Sequence, residues 1–229
     1  MKNNWWKVLT VFLLFYTVVG GLMLEVPRLD ILNETVRNLY FHVPMWFGMV
    51  LLLLTSVVYS VKYLNSSNWE HDVAASEYAS TGVLFGVLGL ITGMIWAKFT
   101  WGSYWSGDPK QNMSAIGMMM YFAYFLLRGA FNDEQQRARI SSIYNIFAFV
   151  IFIVLIFVLP RLTDSLHPGN GGNPGFNAYD MDSQLRLVFY PAVIGWTLLG
   201  VWMSSVRVRL RKAIHKLEEK EDAMQLGNA

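Results

Sequence analysis

Six long apolar runs, at about residues 8–26, 41–61, 78–97, 111–128, 140–160 and 187–206, constrain this chain more than anything else in it. A bilayer's hydrocarbon core is crossed by roughly 20 consecutive apolar residues in a helix. No water is available there, so every backbone group must bond within its own segment. A soluble core does not require runs of this length. Only 15% of the residues are charged, against about 25% in a typical soluble domain. The chain therefore reads as all-α. It is a polytopic membrane bundle of six transmembrane helices, one domain over residues 1–229 with no room for a large second one.

The first run competes with a signal peptide. It follows Lys2 and Lys7, is long for a signal core, and has no small-x-small cleavage site before Glu25, so a spanning helix is expected. The fourth run is short, so polar residues such as Gln111, Asn112 and Ser114 are expected inside its ends. The segments 28–40, 62–77 and 128–139 read as polar loops. In the third run Gly82, Gly86, Gly89 and Gly93 share one face, a spacing that lets another helix approach closely in lipid. The default reading of these glycines is helix packing.

Basic residues set the orientation. Lys2, Lys7, Lys62, Arg128, Arg137, Arg139 and a tail rich in Arg and Lys (residues 207–229) fall on the terminal side. Arg28, Arg37, Lys98, Lys110, Arg161 and Arg186 fall on the other. Both termini are expected in the cytoplasm. His71 and His215 then lie on the cytoplasmic side as solvated residues, while His42 and His167 face outward. The absence of Cys excludes disulfides, thiolate metal sites and Cys-x-x-Cys-His haem attachment to this chain. No phosphate-binding Gly-x-x-x-x-Gly-Lys-Ser/Thr loop is present. The net charge of +2 gives no case for nucleic acid.

The outward loop at 98–112 is the least ordinary stretch. Residues 96–110, Trp-Ala-Lys-Phe-Thr-Trp-Gly-Ser-Tyr-Trp-Ser-Gly-Asp-Pro-Lys, concentrate Trp96, Trp101, Tyr104 and Trp105 beside helix breakers at Gly102, Gly107 and Pro109. We expect a flat aromatic platform. His42 opens the second run, with Pro44 suited to a helix's first turn and Trp46 one turn on along the same face. His167 sits in the outward loop at 161–186. Two imidazoles and an aromatic floor on one face suggest a flat, apolar, metal-bearing ligand such as haem, since neutral imidazole is a common axial ligand. Propionates would then want Arg37, Lys98, Lys110 or Arg161. Plainer readings exist for each residue. A His at a helix mouth is often a cap, a Trp-rich stretch is often an interfacial belt, and Asp108 caps either a turn with Pro109 or the next helix. A small transporter would carry ionisable residues in mid-span, and these runs hold essentially none. A bis-histidine electron carrier would hold its haem from mid-span histidines, which are also missing.

At these residues the sequence resembles the haem-handling membrane proteins of cytochrome c maturation. Trp101-Gly-Ser-Tyr-Trp105-Ser-Gly-Asp108, with Trp96 upstream, is similar to their WWD-type tryptophan-rich motif. His42-Val-Pro44 and Leu166-His167 resemble their two outward histidines. Six spans in a short chain resemble the CcmC branch. Gly107 stands where the family has a third Trp. Lys110 stands where CcmC often has Arg, and Asp108-Pro-Lys110 is closer to the larger CcsA branch. The resemblance implies haem b as a transient cargo, with His42 and His167 as axial ligands to its iron. It implies that Trp96, Trp101, Gly102, Tyr104, Trp105 and Asp108 form a platform for haem and a chaperone. It further implies a non-enzymatic role at the bacterial inner membrane with the functional face periplasmic. The implied partners are a CcmE-like haem chaperone, a CcmA/CcmB-like ABC complex and a small CcmD-like subunit. A CcsA-like part in a haem-attachment synthase is the alternative.

Overall fold

A computed structural model describes residues 4–27, 32–167 and 181–227. Six α-helices run through them: α1 (Trp5–Met23), α2 (His42–Ser66), α3 (Trp69–Trp101), α4 (Pro109–Gly129), α5 (Glu134–Ile153) and α6 (Ser183–Gly227). A 3₁₀ helix, Asn33–Tyr40, leads into α2. A π-helical turn, Val154–Val158, and a 3₁₀ turn, Leu159–Arg161, extend α5. Five helical segments are long and apolar enough to cross a membrane: Trp5–Met23, Asn33–Ser66, Trp69–Trp101, Glu134–Arg161 and Ser183–Glu221. The 21-residue α4 is not among them, because Lys110, Gln111, Asn112, Ser114 and Arg128 dilute its apolar stretch.

The helices outlast the apolar runs. Residues 62–77 are not a loop: α2 continues to Ser66, which leaves only Ser67, in the left-handed region at φ 52°, and Asn68 between α2 and α3. The Asn68 side chain accepts the Glu70 N–H at 2.9 Å and caps α3. Asp133 likewise accepts from Gln136 N and starts α5 at Glu134, reducing the charged connection to four residues. Residues 33–40 are helical too, because Val36, Leu39 and Tyr40 recur on one side and bury against Leu185, Val188 and Phe189 of α6.

The main core joins α2, α3, α4 and α5 through Met49, Leu52, Leu53, Phe85, Met118, Tyr121, Tyr124 and Phe152. Each glycine of the α3 stripe seats a particular side chain. A Cβ on Gly82 would lie 2.9 Å from Leu53, and one on Gly86 would lie 2.4 Å and 2.7 Å from the Met118 and Met49 sulfurs. Between α2 and α5, the buried Asn145 amide donates to Ser56 Oγ and Ser60 Oγ at 2.7 and 2.9 Å, a polar link of the kind that joins helices in lipid.

Longer helices also bring charge into the bundle. Asp72 and Glu77 lie within α3 and are buried. Arg128 pairs with Asp72 through its two terminal guanidinium nitrogens. Arg207 and Arg211 pair with Glu77, and Lys212 with Glu70, so the outgoing half of α6 is tied to the start of α3. His71 and His215 are half-buried rather than fully solvated. His71 Nδ1 lies 3.0 Å from Ser66 Oγ, and His215 stacks on Trp69 at 4.2 Å. Trp6 meets Trp202 edge-on at 6.1 Å, which puts the start of α1 and the outgoing part of α6 at one end of the bundle.

Candidate functional site

At the opposite end a cavity of about 480 Å³ opens among α2, α3, α4 and the turns that extend α5. That is a size typical of small-molecule and cofactor sites. His42 and His167 both line it, with Trp46, Phe47, Trp96, Trp105, Met94, Ile156 and Phe157 among the apolar walls. Lys110 and Arg161 supply positive charge, and no carboxylate lines it among the described residues. Lipid-soluble anions fit such a lining; hydrated cations do not.

His42 is placed by the 3₁₀ helix before it. Arg37 donates to Gly21 O and Leu24 O, at 2.8 and 2.7 Å, and so caps α1 rather than reaching the cavity. Asn38 donates to Thr92 O on α3. The turn then delivers His42 onto α3 with Nδ1 2.9 Å from Gly89 O. A carbonyl only accepts, so Nδ1 carries the proton and Nε2 keeps its lone pair. Room for the ring comes from glycine. A Cβ on Gly93 would sit 2.6 Å from His42 Cε1, and one on Gly89 would sit 2.8 Å from Trp46 Nε1. The His42 ring is bracketed edge-on by Trp46 and Trp96, at 6.4 and 5.9 Å between centroids. Trp96 is itself held by its Nε1 donating to Thr35 Oγ1 at 3.3 Å.

The tryptophan-rich loop narrows to residues 102–108. Gly102 and Gly107 adopt φ of 80° and 75°, which glycine takes without strain, and Pro109 starts α4. Its aromatic residues do not form one flat floor. Trp96 and Trp101 are five residues apart on α3, so at 3.6 residues per turn their side chains diverge by about 140°. Trp96 and Trp105 line the cavity. Trp105 is fixed by its Nε1 donating to Asn112 Oδ1 at 3.0 Å. Trp101 packs outside, edge-on to His167 at 4.7 Å. Tyr104 is exposed beneath Lys98, whose ammonium lies 5.7 Å from the ring and also donates to Gly102 O. Of the four candidate cations, Lys110 and Arg161 therefore border the cavity, and Arg37 and Lys98 do not.

Asp108 performs a task that spacing alone did not reveal. It caps α4 by accepting the Lys110 N–H at 2.9 Å, one of the two capping roles open from sequence. The same carboxylate, only 5% exposed, accepts from Ser165 Oγ, from Leu166 N at 2.7 Å and from His167 Nδ1 at 2.8 Å. It thus holds the start of the 161–186 segment against the tryptophan loop. Burial raises the Asp108 carboxyl, but the Leu166 N–H, His167, Ser165 and Lys110 N–H together outweigh it and hold the group below its usual range. Burial pushes His167 down, against the raising pull of Asp108. A neutral His167 donating through Nδ1 to an ionised Asp108 leaves Nε2 with a lone pair, the same tautomer as His42. A carboxylate behind an imidazole is the usual second partner of a metal-binding histidine. The π-helical turn arises where Pro160 cannot donate to the carbonyl of Ile156. That turn widens α5 where Ile156 and Phe157 border the cavity. The expected 161–186 loop is described only to His167 and again from Met181; its glycine-rich middle lies outside the described residues.

A family model described as CcmC: Heme exporter protein C matches residues 2–225. The heme exporter protein C of Bradyrhizobium diazoefficiens is 27% identical over 193 residues, 81% of this chain and 71% of that protein. That of Haemophilus influenzae is 26% identical over 212 residues, 88% of this chain and 81% of its own. The cytochrome c biogenesis protein CcsA of Pelargonium hortorum is 33% identical over 118 residues, 51% of this chain and 36% of that protein.

Proposed function

The chain belongs to the CcmC family, membrane haem-handling components of cytochrome c maturation, and from that premise we propose that it binds haem b in the cavity beside the tryptophan loop and presents it to a haem chaperone. His42 and His167 are the axial ligands through Nε2. Trp96 and Trp105 lie against the macrocycle, and Lys110 and Arg161 face its propionates. Trp101 and Asp108 hold His167 in place, and Gly102 sets the turn between them. Tyr104, exposed on the loop, belongs to the surface a CcmE-like chaperone meets. The outer cavity faces the periplasm across the bacterial inner membrane, and both termini are cytoplasmic. The α4 helix completes the bundle as a sixth, less apolar span. A CcmA/CcmB-like ABC complex with a CcmD-like subunit is the assembly it works in, and delivery of haem, rather than catalysis, is its role.

One observation carries this reading. Two histidines far apart in sequence border one cavity, each with Nδ1 committed to a fixed acceptor and Nε2 left unprotonated. Metal-coordinating imidazoles need that state. The test is the absorption spectrum of detergent-purified protein reconstituted with haem, wild type beside His42→Ala and His167→Ala. A low-spin bis-histidine spectrum in the wild type, shifted or lost in each variant, is expected. An unchanged spectrum in both variants would refute the ligand assignment. The similarity to CcsA, which spans half of this chain, favours a second reading: a direct part in haem attachment to apocytochrome. Cytochrome c assembly that proceeds in cells lacking a covalent haem chaperone would support it over the first.

A further inference from the structure

A second cleft, of about 390 Å³, lies at the end of the bundle that carries the start of α1 and the outgoing part of α6, far along the helices from His42 and His167. Asn4, Trp6 and Lys7 of the chain start, Tyr59 of α2, Tyr78 of α3, and Ser205 and Arg209 of α6 line it. Its charge is one-sided. Among the described residues the lining holds two cations and no carboxylate. This is not a general feature of that end. Arg207, Arg211 and Lys212, on the same helix, are all paired with Glu77 or Glu70 of α3. Arg209 instead donates from Nε to Ser205 O of its own helix at 3.0 Å. The Lys7 ammonium lies 5.8 and 5.5 Å from the centres of the Trp6 and Trp202 rings, contacts that hold a cation without neutralising it.

The surroundings are those of a membrane interface. Trp6, Tyr59 and Tyr78 are the residue types that settle at headgroup depth, and Tyr59 and Tyr78 stack at 5.8 Å. From the cleft, α1 presents an exposed apolar face through Val8, Val11, Phe12 and Phe15. A ligand that suits both parts carries a negatively charged phosphate at one end and an acyl chain at the other. We infer that this cleft binds the headgroup of an anionic phospholipid, with Lys7 and Arg209 on the phosphate, Ser205 and Asn4 as hydrogen-bonding neighbours, and an acyl chain along α1. Basic pockets between helices at the cytoplasmic surface are a recurrent way of holding such lipids. Because α1 packs mainly on α6, the lipid would fasten the first helix to the bundle.

The test measures thermal unfolding of the full chain in neutral detergent, titrated with phosphatidylglycerol, phosphatidylcholine or inorganic phosphate. A ligand that binds only the folded state raises the midpoint with concentration. Phosphatidylglycerol should raise it, and the other two should not. In Lys7→Gln/Arg209→Gln the concentration for half of the shift should rise about thirty-fold, the loss expected for two interfacial cations. Lys7→Arg/Arg209→Lys should keep the response. Arg209→Gln alone, which leaves the Lys7–Trp6–Trp202 contact intact, should lose part of it. Equal responses to the two lipids, or an undiminished response in the Gln variants, would overturn the inference. A shift produced by inorganic phosphate alone would mean a free-anion site and would also overturn it.

Discussion

Replacing Asp108 by Asn should weaken haem binding by ten- to a hundred-fold without unfolding the bundle. The carboxylate uses both oxygens: Oδ1 takes Lys110 N and His167 Nδ1, and Oδ2 takes Leu166 N. An amide has one oxygen. If its nitrogen takes the place of Oδ2, it meets the Leu166 N–H, 2.7 Å away in the native arrangement, as donor against donor. If it takes the place of Oδ1, it meets both Lys110 N–H and His167 Nδ1–H. The imidazole's response to that second geometry is to move its proton to Nε2, which removes the lone pair a metal needs. Hydrogen bonds to charged groups contribute about 1.5–3 kcal/mol, and a buried donor left unmatched costs about 1–3 kcal/mol. Loss of a metal ligand's hydrogen-bond partner usually lowers affinity 10–100-fold, or about 1.4–2.7 kcal/mol, in the same range. The assay is haem titration followed at the Soret band for purified wild type, Asp108→Asn and Ser165→Ala. The Ser165 variant removes one donor to Asp108 and the acceptor of the His167 N–H but leaves the bond from His167 Nδ1 to Asp108 that sets the tautomer, so it should change affinity less than about threefold. Wild-type affinity and spectrum in Asp108→Asn, or equal losses in Asp108→Asn and Ser165→Ala, would refute the reasoning.

Three further outcomes follow from the same geometry. Gly93→Ala puts a methyl carbon 2.6 Å from His42 Cε1; overpacking of this kind costs about 1–3 kcal/mol, partly offset by the roughly 0.5–1 kcal/mol that Ala gains over Gly in a helix, so the melting midpoint should move little while the Soret spectrum departs from wild type, and an unaltered spectrum would show that the ring has slack. Arg128→Met strands the buried Asp72 carboxylate; breaking a buried pair from one side costs about 3–5 kcal/mol, whereas Asp72→Asn/Arg128→Met should recover much of the loss, and thermal unfolding in detergent would decide between them. Acid should loosen the His167 segment, because both groups have lowered folded-state values: the His167 contribution is full above its ordinary value near 6.5 and is lost as pH falls through its depressed one, and the Asp108 contribution follows below the usual carboxylate range near 3.8. Hydrogen exchange at the Leu166 amide, corrected for intrinsic rate, should accelerate between pH 6.5 and 4, and protection constant over that window would contradict the assignment.

The helices and the place of His42 at a helix mouth were legible from sequence because each depends on local pattern: apolar runs of spanning length, and His42 with Pro44 in a first turn. Helix ends were less legible. Residues 62–77 look like a loop by hydropathy, yet Asn68 caps a helix through them and Asp72 and Glu77 find their cations on α4 and α6. No local pattern states that Arg128, 56 positions away, will neutralise Asp72. The flat platform fails because α3 outlasts its apolar run. A five-residue separation on a continuous helix cannot present Trp96 and Trp101 on one face, and the structure continues α3 through Trp101.

The glycines and Asp108 share a lesson about what spacing can carry. The spacing of the 82-86-89-93 stripe predicts close helix packing, and it is that at Gly82 and Gly86, which admit Leu53 and two methionine sulfurs. One turn nearer the cavity the same stripe admits Trp46 and then His42. One sequence pattern thus changes from packing to site construction along a single face, and only knowledge of what faces each glycine separates the two. From sequence Asp108 is a cap for a turn or for the next helix, and by resemblance part of a platform. Its four donors come from Lys110 beside it and from residues 165–167, joined to it only by folding. The tryptophan motif and the second histidine are therefore one unit: the loop that supplies an aromatic wall also supplies the carboxylate that sets the histidine's tautomer. A substitution in the motif that leaves every aromatic ring in place can for that reason still remove the Nε2 lone pair on which the proposed haem ligation depends.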